Sequence, residues 1–130
     1  MIQQSTLPLC FIDARGGELA RLAAAVAHAL GLSDAIALVW GGENPLSDDV
    51  TTVLHEVGMT APHVAAFDTA LTSKHSCVWL GDGPETASVP QAQVWPAALR
   101  GPNGPHFDRL VTARLLRDDI AKRLRAISKS

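Results

Sequence analysis

Two short apolar runs without polar alternation, Leu7 to Ile12 and Ala35 to Trp40, enclose a segment of helical periodicity, and this order constrains the fold most. Leu19, Leu22, Ala23, Val26, Ala27 and Leu30 recur at helical offsets, with Gly31 placed for a left-handed stop, so a helix is predicted from about Gly17 to Leu30. The flanking runs read as buried parallel strands, because a sheet covered by helices on both faces needs near-continuous apolarity.

Further along, Asn44-Pro45 breaks the chain and Ser47 can cap a second helix, lined by Val50, Val53, Leu54 and Val57 and stopping at Gly58. A third helix is expected from about His63 to Leu71. Ser76 to Leu80 reads as a third strand before the turn Gly81-Asp82-Gly83-Pro84, and Ala92 to Trp95 as a fourth. After the Pro- and Gly-rich loop from Pro96 to Pro105, residues Phe107, Leu110, Val111, Ile120, Leu124 and Ile127 mark a long terminal helix. Strands alternating with helices predict an α/β fold: a three-layer, doubly wound sandwich with a four-stranded parallel sheet and right-handed crossovers. At 130 residues and 47% hydrophobic content, the chain is expected to form one domain over residues 1–130.

Charge narrows the function classes. A formal net charge of -2, from 11 basic and 13 acidic residues, gives no whole-chain reason to expect nucleic acid or an anionic membrane as partner. The segment Met1 to Thr6 lacks the basic flank and apolar core of a signal peptide, and Arg21 and His28 interrupt the longest helical apolar stretch, so a cytoplasmic location is expected. Cys10 and Cys77 fit neither a disulfide framework nor a Cys-x-x-Cys motif and should be thiols. No two of His28, His55, His63, His75 and His106 share three- or four-residue spacing, so neither a metal nor a cofactor is expected.

Chemistry is best sought at the first strand-to-helix turn, since ligands on doubly wound sheets bind beyond the carboxyl ends of strands. There Cys10 precedes Phe11-Ile12-Asp13-Ala14-Arg15-Gly16-Gly17-Glu18, where helix amides and macrodipole can hold a small anion. Cys10 is the candidate nucleophile, or a small buried residue at the end of a core strand. Asp13 and Glu18 either re-tune the site for a cationic or hydrogen-bond-donating ligand or cap the first helix at its positive end. Gly16 and Gly17 supply an amide nest or only the torsions of a tight turn. Asn44 either braces this loop or starts a helix with Pro45. Trp40 and Trp95 can wall the cleft or pack the core. Arg114, Arg117, Asp118, Asp119, Lys122, Arg123 and Arg125 read as a solvated helix face with pairs at helical spacing.

Taken in order, these pieces resemble the low-molecular-weight protein tyrosine phosphatase family, including the arsenate reductases on the same fold. The strand with Cys10, the turn and Glu18-Leu19-Ala20 are similar to the family's opening. Gly41-Gly42-Glu43-Asn44-Pro45 and Glu56-Val57-Gly58 resemble the arsenate-reductase branch, and Trp95, Phe107 and Arg117-Asp118-Asp119-Ile120 its terminal segment. The resemblance implies a phosphotyrosine protein phosphatase I-like fold and an active loop of Cys, five residues, Arg, then Ser or Thr, with Asn three residues after the Cys. On that pattern Cys10 keeps the nucleophile position, Gly16 replaces the Arg, Gly17 the hydroxyl and Asp13 the Asn, while Arg15 stands one residue early. The general acid, from an Asp-Pro pair, falls on Gly101-Pro102. A cationic clamp contributes on the order of 10³ to 10⁵ in rate and a general acid about 10² to 10⁴, so losing both nearly abolishes turnover. An ionised Asp13 would also repel a dianion and raise the Cys10 pKa.

The expectation that follows is a catalytically degenerate phosphatase-like domain acting as a binding or regulatory module with a protein partner. The alternative is a cysteine-dependent tyrosine phosphatase or arsenate reductase in which Cys10 attacks and Arg15 serves as displaced clamp. A thiol switch at Cys10 is a third reading.

Overall fold

A computed structural model describes residues 7–81, 83–95 and 106–128. The first apolar run becomes β1 (Leu9–Asp13), and the periodic segment becomes α1 (Glu18–Ala29). There follow β2 (Ile36–Val39), α2 (Asp48–His55), β3 (Val64–Ala66), α3 (Thr69–Thr72), β4 (Ser76–Leu80), a 3-10 turn at Pro84–Ser88, β5 (Gln93–Trp95) and α4 (His106–Ser128). The strands form one parallel sheet in the order β3-β2-β1-β4-β5, so β1 is central and the chain reverses direction on either side of it. Such a reversal opens a crevice beyond the carboxyl end of β1.

The sheet has five strands where four were expected, and the difference lies in the segment read as a helix from His63 to Leu71. Val64, Ala65 and Ala66 instead pair with Ala37, Leu38 and Val39 on the free edge of β2. Asp68 then caps α3 through its carboxylate, which accepts from the Ala70 N–H at 2.8 Å. Backbone bonds to an existing strand outweigh the helix propensity of two alanines, and that propensity is a weak prior.

The helices are distributed unevenly. Phe11, Leu22, Val26, Val50, Leu54, Ile120 and Leu124 join in one buried cluster, which places α1, α2 and α4 on the same face of the sheet. Cys10, Ile12, Leu38, Cys77 and Trp79 point to the other face, covered by Val89 and by half-buried Trp40, Phe67 and Leu71. The aromatic rings there interlock: Trp40 meets Phe67 edge-on at 4.6 Å, and Phe67 lies stacked on Trp79 at 6.5 Å.

The charged face of α4 is partly tied down. Arg114 and Arg117 both reach Glu56 beyond the end of α2, and Arg117 also donates to the Val53 carbonyl at 2.7 Å. The Arg114 hydrogen bond leads in holding the Glu56 carboxyl below the ordinary carboxylate range. Asp119 and Arg123 form the expected pair one turn apart. No helix among the described residues is long and apolar enough to cross a membrane. Gly101-Pro102 and the loop from Pro96 to Pro105 lie outside the described residues.

Candidate functional site

The turn between β1 and α1 is built around the carboxylate of Asp13. This side chain is fully buried. Its Oδ1 accepts from the N–H groups of Arg15 and Gly17, and its Oδ2 from that of Ala20, all at 2.8 Å. Asp13 ends β1 on the side that faces α1, because alternation along the strand sends Phe11 and Asp13 one way and Cys10 and Ile12 the other. The carboxylate thus reaches the positive end of α1 from beneath and satisfies donors that a helix start leaves open. Gly17 occupies the N-cap position and offers no side chain for the task.

Both glycines are required by backbone shape. Gly16 has φ +90° and Gly17 φ +89°, a region that side chains disfavour. A Cβ on Gly16 would also fall 2.5 Å from Asn44 Nδ2 and 2.9 Å from Asn44 Cβ. Asn44 is held there because its N–H donates to the Gly16 carbonyl at 2.9 Å, a bond of its backbone and not of its side-chain amide. Gly16→Ala is therefore expected to cost about 2 to 3 kcal/mol, from torsional strain plus the clash. Gly41→Ala, at φ +96° with nothing within 4 Å of the added carbon, isolates the torsional part and should cost about 1 kcal/mol. Urea unfolding of the two variants measures the difference.

Glu18 takes a second capping role. Its Oε2 accepts from the Ser47 N–H at 2.6 Å, while the Ser47 hydroxyl accepts from Val50 N at the start of α2. The N–H groups of Arg15, Gly17 and Ala20 are thus engaged by Asp13, and that of Ser47, ahead of α2, by Glu18.

Cys10 stands elsewhere. It is the second residue of a five-residue strand, fully buried, with Ile36 and Cys77 as its neighbours in register. The strand, expected to reach Ile12, extends to Asp13 and holds this thiol in its interior. Only residues 14 to 17 then separate β1 from α1. Burial first, and Cys77 second, push the Cys10 thiol far above its ordinary value. The carboxylate of Asp13 has no part in that rise, contrary to the sequence-based expectation, since it lies across the strand. Cys77 is also raised by burial, and its Sγ donates to the Thr72 carbonyl at 3.4 Å. Both thiols are free.

The remaining sequence candidates separate. The turn gathers Asp13, Gly16, Gly17 and Asn44, while the Arg15 side chain is exposed at its rim. Trp40 and Trp95 lie on opposite faces of the sheet and do not form two walls of one cleft. Trp95 packs against Phe11 at 6.2 Å beneath the Arg123 guanidinium. No group of three or more metal-ligating side chains occurs among the described residues. Of the two sequence alternatives for Asp13, capping of the first helix is the one that its three donors match. The apolarity of Phe11 and Ile12, which carries the strand past Cys10, is the sequence signal that places Asp13 at its end.

No family model matches the chain, and no curated protein matches it by sequence. Solved structures do. An arsenate reductase in the phosphate-binding state is 18% identical, with a TM-score of 0.64 over 93% of this chain and 96% of that one. The YwlE arginine phosphatase from Geobacillus stearothermophilus is 16% identical, with a TM-score of 0.67 over 95% and 92%. A YwlE mutant from Bacillus subtilis is 13% identical, with a TM-score of 0.68 over 95% and 97%. This chain has the fold shared by arsenate reductases and YwlE arginine phosphatases, the fold of the low-molecular-weight phosphatases that its sequence resembles.

Proposed function

We propose that this chain is a catalytically silent relative of those phosphatases and reductases, working as a binding or regulatory module with a protein partner. The observation that carries the reading is the buried Asp13 carboxylate, which already accepts three N–H groups at the first turn, those of Arg15, Gly17 and Ala20. An incoming oxyanion meets a like charge there and has to compete for those three donors. Two further features support the reading. Cys10 is sealed in the sheet as a protonated thiol, a poor nucleophile, and Gly16 stands where the resemblance places the clamp.

The test is turnover of para-nitrophenyl phosphate, of a phosphoarginine peptide and of arsenate with a thiol reductant. No rate above that of Cys10→Ser is expected for any of them. Hydrolysis within a few orders of magnitude of an active arginine phosphatase, abolished in Cys10→Ser, would establish the alternative in which Arg15 acts as clamp.

A further inference from the structure

Away from the first turn, a groove of about 190 Å³ opens between α1 and α2. Leu46, Leu54, Met59 and Ala61 give it an apolar lining, and Arg21, Thr51, His55 and Thr60 complete its walls. Arg21 is half-buried and preset, because its Nε–H donates to the Pro62 carbonyl at 2.8 Å and so fixes the guanidinium plane. Its Nη groups have no acceptor among the described residues. The nearest acid along the helix, Glu18, directs Oε2 to Ser47 N.

We propose that this groove binds a small monocarboxylate with a short hydrocarbon body. A fixed guanidinium edge matches the two oxygens of a carboxylate, and such paired charge-assisted bonds are the strong ones. The apolar lining suits an aliphatic body and disfavours a strongly hydrated phosphate dianion. The volume lies below the roughly 300 to 1,000 Å³ of pockets for drug-sized molecules, which limits the occupant to a fragment of branched-acid size.

The experiment is a two-dimensional NMR titration of the intact protein with isovalerate and with its neutral isostere isovaleramide. Isovalerate should produce saturable shifts at the Leu54 and Met59 methyl groups with a millimolar or lower Kd, and isovaleramide should bind at least about tenfold more weakly. Arg21→Gln should lose the isovalerate response while its thermal transition shows it folded. Should that variant unfold, the amide comparison on the wild-type protein decides alone. Absence of saturable shifts, equal affinity for acid and amide, or shifts that map away from α1 and α2 would overturn the assignment.

Discussion

Asp13→Ala is expected to remove about 3 to 5 kcal/mol of folding free energy, a large share of the roughly 5 to 15 kcal/mol available to a domain. Three N–H groups would lose a charged acceptor at once, each such bond being worth about 1.5 to 3 kcal/mol before the turn relaxes and admits water. Asp13→Asn grades the effect. The amide oxygen can still accept from Arg15 and Gly17, but the NH₂ group then faces the Ala20 donor, so about half of the loss is expected. Urea unfolding reads both changes, with an unaltered slope showing that the unfolded state is unaffected. Formate should raise the midpoint of Asp13→Ala more than that of the wild type, because it can bind the donors that the substitution exposes. An alanine variant within about 1 kcal/mol of wild type would mean that the carboxylate does not organise the turn, and the functional reading would lose its main support.

The layered order of the fold was legible because hydrophobic periodicity reports burial directly. The α1 helix falls within one residue of the predicted bounds, and Ser47 caps α2 as its side-chain type and position suggested. β3 was not legible. Val64-Ala65-Ala66 has no alternating pattern, and two of its three residues are exposed, so its strand character comes from the neighbouring edge of β2. The uneven covering of the two faces was likewise beyond local pattern. Apolar runs show that both faces are buried, whereas only the strand order sends α1, α2 and α4 to one side.

At the site, the end of β1 was legible to within one residue, since a strand through Ile12 was expected and β1 ends at Asp13. Matching Cys10 to a nucleophile requires its thiol to face the turn beyond the end of the strand. The structure spends residues 11 to 13 on the strand, which moves the loop's centre to Asp13 and turns Cys10 to the far face. A period-two alternation explains the outcome: three positions separate the residues, so their side chains diverge. The Asn44 N–H bond to the Gly16 carbonyl and the positive φ of Gly16 and Gly17 belong to the turn itself.

The burial of the two thiols leads to the other large expected effect. In native protein both Cys10 and Cys77 should react with iodoacetamide at least about 10³-fold more slowly than in urea, since access requires opening of the central strands. At pH 6 no labelling of the folded protein is expected, and phosphate should not change the rate at any pH. The same burial ties stability to alkali. Folded-state values raised above an unfolded value of about 8.5 mean that beyond that pH the unfolded chain holds fewer protons than the native one. Stability is then fully present below about pH 8.5 and is lost as pH rises, with a limiting slope of about 1.4 kcal/mol per pH unit for each thiol. Urea midpoints between about pH 7 and 10 should therefore fall, and Cys10→Val should fall less steeply because it retains only Cys77. Rapid labelling of Cys10 near pH 6, blocked by phosphate, would instead mark an accessible thiolate beside an anion site and restore the enzymatic alternative.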